Sequence, residues 1–190
     1  MPMEPGPHVE EMQAAIRVDG EGLRRLLDGD AAGGTARLRE AAERYRTSWE
    51  LAPPRSYGRL VGMLKAAVIA GDAAEAVAYA REQVGVADSP PSHYILAIVA
   101  LVTGDDTAAH GAAAGMRAGS PAFARAADAI EALADGDASR YATAVREIVT
   151  DFEGREEHLT GVPIADTALM LERLAEARGL AAHPASALLP

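Results

Sequence analysis

A chain of 190 residues with no cysteine, 28 acidic and 18 basic side chains carries a net charge of −10, which excludes disulfides and thiolate metal sites and disfavours nucleic-acid partners. No run approaches the ~20 apolar residues of a membrane span, and the acidic start MPMEPGPHVEEM lacks the basic n-region of a secretion signal. The length suits one domain with a core of its own, while 4% aromatic residues and few β-branched ones argue against a sheet.

In chain order, residues 1–7 hold three prolines and a glycine and read as disordered or extended. An amphipathic helix is expected from His8 to about Val18, with Val9, Met12, Ala15 and Ile16 inward and a break at Asp19-Gly20. Leu23, Leu26 and Leu27 begin another short apolar face. Asp28 to Gly34 reads as a flexible loop, after which Thr35 caps a helix through Leu38, Ala41, Ala42, Tyr45 and Trp49. Trp49 is the only tryptophan, read as a core anchor between the first two hairpins rather than a ligand platform. Pro53-Pro54 ends that helix.

The middle of the chain repeats itself. Leu60, Met63, Leu64, Ala67 and Val68 fall three and four apart, which places them on one helical face. Gly71 then closes the helix and Asp72 opens the next, whose Ala73, Ala76, Ala80 and Ala87 keep one side thin. The Gly-Asp corner recurs at Gly104-Asp105 and Gly136-Asp137, and more loosely at Gly29-Asp30. Ser89-Pro90-Pro91 and Ser120-Pro121 are start signals for helices through Tyr94, Ile95, Ile98 and Leu101, and through Phe123, Ala127, Ile130 and Leu133. The spacing of these corners is that of helix–turn–helix repeats, which bury their apolar faces only by stacking. A further helix is expected from about Ser139 to Phe152. Then come the long polar connection Asp151–Val162 and a helix reopened by Pro163, with Ile164, Ala168, Leu171, Leu174 and Ala175 inward.

These residues resemble the tetratricopeptide-repeat-like superhelices over about residues 57–153. Around Gly104, the small Ala97, the post-turn Ala109 and the closing Pro121 stand where that family has them. Around Gly71, Ala76 matches, while Leu64 replaces the small residue; around Gly136, Tyr141 stands where alanine is expected. The resemblance implies an all-α fold of about 8–10 helices stacked as a short right-handed superhelix. It divides the chain into a start at 1–7, one domain at 8–179 and an apolar tail at 180–190 packed on it.

No phosphate-binding glycine loop, dinucleotide fingerprint, nucleophile elbow or zinc-protease motif is present. The histidines His8, His93, His110, His158 and His183 are scattered, and only His93 and His110 sit on adjacent expected helices. Neither catalytic residues, a metal nor a cofactor is expected. In the resembled family the first helix of each repeat lines a concave side. Carried over, the groove consists of Lys65, Val68, Tyr94, Ile98, Leu101, Phe123 and Ile130, and Lys65 is the only lysine in the chain. The expectation is a non-enzymatic interaction module of a bacterial cytoplasm, taking an apolar helix or peptide or a second copy of itself, with neither nucleic acid nor membrane as partner. An alternative has residues 180–190 filling the groove and the acidic surface blocking a basic partner, in the manner of an immunity or antitoxin-like protein. A helical enzyme using His93, His110 or His158 is a third.

Overall fold

A computed structural model describes residues 6–190, and these form nine α-helices with no strand among them. The helices are α1 (Pro7–Leu27), α2 (Ala31–Leu51), α3 (Gly58–Ile69), α4 (Ala74–Val84), α5 (Pro90–Thr103), α6 (Asp106–Met116), α7 (Pro121–Ala134), α8 (Ala138–Glu153) and α9 (Asp166–Arg178). The fold is all-α.

The Gly-Asp corners explain where four of these nine helices stop, α1, α3, α5 and α7. Gly29, Gly71, Gly104 and Gly136 adopt φ of 84°, 76°, 76° and 67°, a left-handed conformation that side chains disfavour. In each corner the following aspartate N–H reaches back to the preceding helix. Asp30 donates to the Arg25 carbonyl (2.8 Å), Asp72 to Ala67 (3.0 Å), Asp105 to Ala100 (2.9 Å) and Asp137 to Ala132 (3.0 Å). Three of the four aspartates also start the next helix by accepting from a backbone N–H, at Gly33, Ala108 and Arg140. The corner at Gly29 therefore matches those at Gly104 and Gly136. Asp72 is the exception: its side chain caps nothing, and α4 begins after Ala73.

The amino-terminal third departs from its sequence pattern. No break occurs at Asp19-Gly20, because α1 runs through to Leu27 with Asp19, Gly20 and Gly22 buried against its neighbours. Nor is 28–34 a loop: Asp30, not Thr35, caps α2, which incorporates Gly33 and Gly34. Packing explains both. A Cβ on Gly34 would meet Leu26 at 2.5 Å and one on Gly22 would meet Leu38 at 2.9 Å, so glycines that weaken an isolated helix here let two long helices touch. Of residues 1–7, the first five lie outside the described residues, and Pro7 opens α1. Trp49 is half-buried, stacks on Tyr57 at 5.7 Å and donates to Gln83 Oε1 at 3.1 Å.

Short corners fold each helix back beside the last. In addition α3 touches α5 and α5 touches α7, so these three share a layer. α9 lies against α3, α7 and α8 and covers that layer. It starts at Asp166 rather than at Pro163, since residues 154–165 remain an irregular connection. Beyond α9 the tail is tied down. Leu188 O accepts from Ala165 N (2.9 Å), and Glu172 accepts from Ala182 N (3.2 Å) and His183 N (2.7 Å).

Candidate functional site

The residues expected to line one groove separate into two sets. Ile98 and Ile130 have no exposed surface, and Val68 and Leu101 retain only 5% and 4%. Lys65, Tyr94 and Phe123 instead meet at a cavity of about 350 Å³. Its walls are α3, α5, α7 and the start of α9, closed on one side by the end of α8 and the 154–165 connection. The interior is lined by Val61, Phe123, Ala126, Phe152, Val162 and Ile164, while Gly58, Ala122, Arg155 and Leu159 are the exposed rim.

Sequence spacing brings Lys65 to the polar part of this lining, and the fold supplies its partners from a hundred residues away. Lys65 Nζ lies 2.5 Å from Asp166 Oδ2 and donates to Thr167 Oγ1 at 3.0 Å. The other Asp166 oxygen accepts from Thr167 N at 2.8 Å. Burial works against the charge on Lys65, but Asp166 foremost, with Tyr94 and Asp19, holds its pKa above the ordinary lysine value. Lys65 is therefore a fixed ammonium, unsuited to a nucleophile's role.

Two tyrosines flank it. The Tyr94 hydroxyl is fully buried and has no hydrogen-bond partner of good geometry among the described residues, although Thr167 is near enough to influence it. Burial raises its pKa, so it remains a neutral O–H. Tyr45, from α2, donates to Asp19 Oδ2 at 2.9 Å. The ring is seated on a bare stretch of α3: a Cβ on Gly62 would lie 2.7 Å from it. Burial pushes the Asp19 carboxyl up to about 6; the Tyr45 hydrogen bond opposes this, and Asp166 adds to it.

The 154–165 connection completes the enclosure. Thr160 O sits where a Cβ on Gly20 would fall, 2.8 Å away, so a bare patch of α1 receives the connection. Arg155 lies over the Phe152 ring at 3.7 Å and pairs with Asp151 at 2.6 Å, and Asp151 also meets Arg125 at 2.5 Å. Both carboxylate contacts hold the Asp151 pKa below its ordinary value despite partial burial. His158 stacks near Phe152 at 6.1 Å, and its buried Nδ1 has no partner among the described residues. Asp166, Thr167, Phe152, Arg155 and His158 are not among the expected groove residues; the length of the polar connection, and His158 as a candidate of the enzyme alternative, are the signals pointing to their neighbourhood.

The remaining histidines do not converge. His93 packs over Gly115, and His110 Nε2 lies 3.0 Å from Asp135 on the next corner. Among the described residues no cluster of three His, Asp or Glu is placed to hold a metal, and no helix is long and apolar enough to cross a membrane. Chemically the arrangement presents an apolar enclosure with hydrogen-bond donors in its lining. No protein-family profile, no curated protein and no solved structure matches this chain.

Proposed function

We propose that this chain is a non-enzymatic binding protein of a bacterial cytoplasm that takes a small, mainly apolar molecule into the cavity at Lys65. The scaffold is read as a tetratricopeptide-repeat-like stack, on the strength of the recurring Gly-Asp corners and the shared layer of α3, α5 and α7. Zero cysteines fit a reducing compartment. The carrying observation is the cavity of about 350 Å³ with mainly apolar walls and the Lys65–Asp166 pair in its lining. A volume near the lower end of the ligand-pocket range and a few convergent polar groups suit a small molecule. An apolar partner helix is less suited, because Ile98 and Ile130 lie beneath the surface and offer it no continuous face.

Titration with the uncharged dye N-phenyl-1-naphthylamine tests the reading. A saturable fluorescence rise with one dye per chain is expected. Ala122→Trp narrows the exposed rim and Ala126→Phe fills the interior, so both lose the rise while keeping the helical circular dichroism. Unchanged dye binding in both folded variants, or no binding by the parent chain, overturns the proposal.

A further inference from the structure

The 154–165 connection is held at its ends and loose between them. At one end Arg155 pairs with Asp151 and lies over the Phe152 ring. At the other, Val162 and Ile164 are buried, and Ala165 N donates to Leu188 O at 2.9 Å. From Glu156 to Gly161 the chain makes neither a hydrogen bond nor an ion pair to any helix among the described residues. Its one internal bond, from Gly161 N to His158 O at 2.9 Å, closes a turn that carries Leu159 and Thr160. Gly161 sits at a φ of 69°, with open space where a Cβ would project.

This turn stands between two hollows. Leu159, Thr160 and Val162 line the cavity on one side and a shallow depression on the other, which Ile16, Gly20 and Arg24 of α1 complete. Against α1 the turn makes packing contact only, with Thr160 O over the bare Gly20. His158 weakens its hold further, because the buried Nδ1 lacks a partner among the described residues, a cost that a shift of the turn can remove. Leu159 is 74% exposed at the lip of an apolar cavity. A single exposed leucine is ordinary on a surface. Here it rides on a turn with only packing contacts to break, and the facing lip, Gly58 and Ala122, is fixed in the first turns of α3 and α7.

Resting on the small-molecule reading above, we infer that residues 158–161 form a flap, hinged between Arg155 and Val162, that moves over the mouth when the cavity fills and buries Leu159 against the apolar body of the occupant. Removing the leucine side chain from water drives the closure, and no hydrogen bond to a helix opposes it. The flap therefore sets how long an occupant stays.

Two measurements with the same dye test this. Leu159→Ser alters a largely exposed side chain, so the urea midpoint should stay where it is. The dye is expected to leave this variant about tenfold faster in stopped-flow dilution, while its association rate changes by less than about twofold. A rigid wall bearing Leu159 would also lose affinity, so position is measured as well. The chain has no cysteine, and the exposed Glu157→Cys and Gly111→Cys accept nitroxide labels with Leu159 retained. Saturating dye is expected to shift the distance between these labels by more than about 2 Å. A control pair on α6 and α8, Gly111→Cys with Glu147→Cys, should not move. An unchanged Glu157–Gly111 distance at saturation, or dissociation from Leu159→Ser as slow as from the parent chain, overturns the flap and leaves the cavity reading intact. Failure of the parent chain to bind the dye overturns both.

Discussion

Two buried polar knots hold α9, and they differ in one respect. At its carboxy-terminal half, Glu172 is 6% exposed and has every neighbour it needs: Tyr141 donates to it at 2.7 Å, and the Ala182 and His183 amides complete the set. At its start, Asp166 and Thr167 are equally occupied with Lys65, but the adjacent buried Tyr94 hydroxyl has no hydrogen-bond partner of good geometry among the described residues. Both knots use tyrosines whose pKa values burial raises, so both present neutral O–H donors. The closed knot fastens the tail to the fold. The open one has the same ingredients with one donor unpartnered, and it lies beside a cavity.

Removing one charge from the open knot should produce the largest effect. Asp166→Ala strands Lys65 in a site where only 16% of its side chain is exposed, and is expected to cost about 3–5 kcal/mol in urea unfolding. Lys65→Met added to Asp166→Ala should recover most of that loss, which would show that the stranded ammonium, not the missing carboxylate, is responsible. Glu172→Ala breaks the closed knot and is expected to cost about 3 kcal/mol. Limited proteolysis should then cut within 180–190 before the helices, whereas Asp166→Ala should not release the tail selectively.

Asp19 separates the two knots by pH. Its carboxyl titrates at about 6 in the folded chain against an ordinary 3.8. The folded state therefore holds the proton more tightly, so this group's contribution is most favourable below pH 3.8 and declines as pH rises to about 6. Asp19→Asn should flatten that part of the stability profile and raise stability at pH 7.5 by about 3 kcal/mol, while the tail's protease resistance stays unchanged. The smallest effect belongs to Tyr94→Phe. Deleting a hydroxyl that has no described partner should change stability by less than about 1 kcal/mol, in contrast to a loss of about 1–2 kcal/mol for Tyr141→Phe.

The corners were legible because glycine and aspartate each have a local reason to be there, and local reasons are written in adjacent residues. Gly104-Asp105 and Gly136-Asp137 end and begin helices as their sequence suggests. Asp19-Gly20 has the same composition and no corner, since Tyr45, Thr160 and the close approach of α2 recruit those residues into a helix. Tertiary contacts there override propensity. Lys65 stood out as the sole lysine, yet its partners lie 101 and 102 residues further on, and nothing in the intervening sequence encodes that meeting. Glu172 carried a readable hint: it is four residues beyond the buried Ala168, so it shares that residue's inward face. A carboxylate in such a position needs donors, and those come from Tyr141 and the tail.

The layer formed by α3, α5 and α7 receives its cover from α9 and residues beyond it, the last of the described chain to be synthesised. A polypeptide emerging from the ribosome therefore exposes Lys65, Val68 and Leu101, which lie beside α9, until residues 166–178 have followed. Completion of the core is a late event, and a nascent chain arrested before Asp166 should stay sticky, expanded and dependent on chaperones in a way the finished molecule is not.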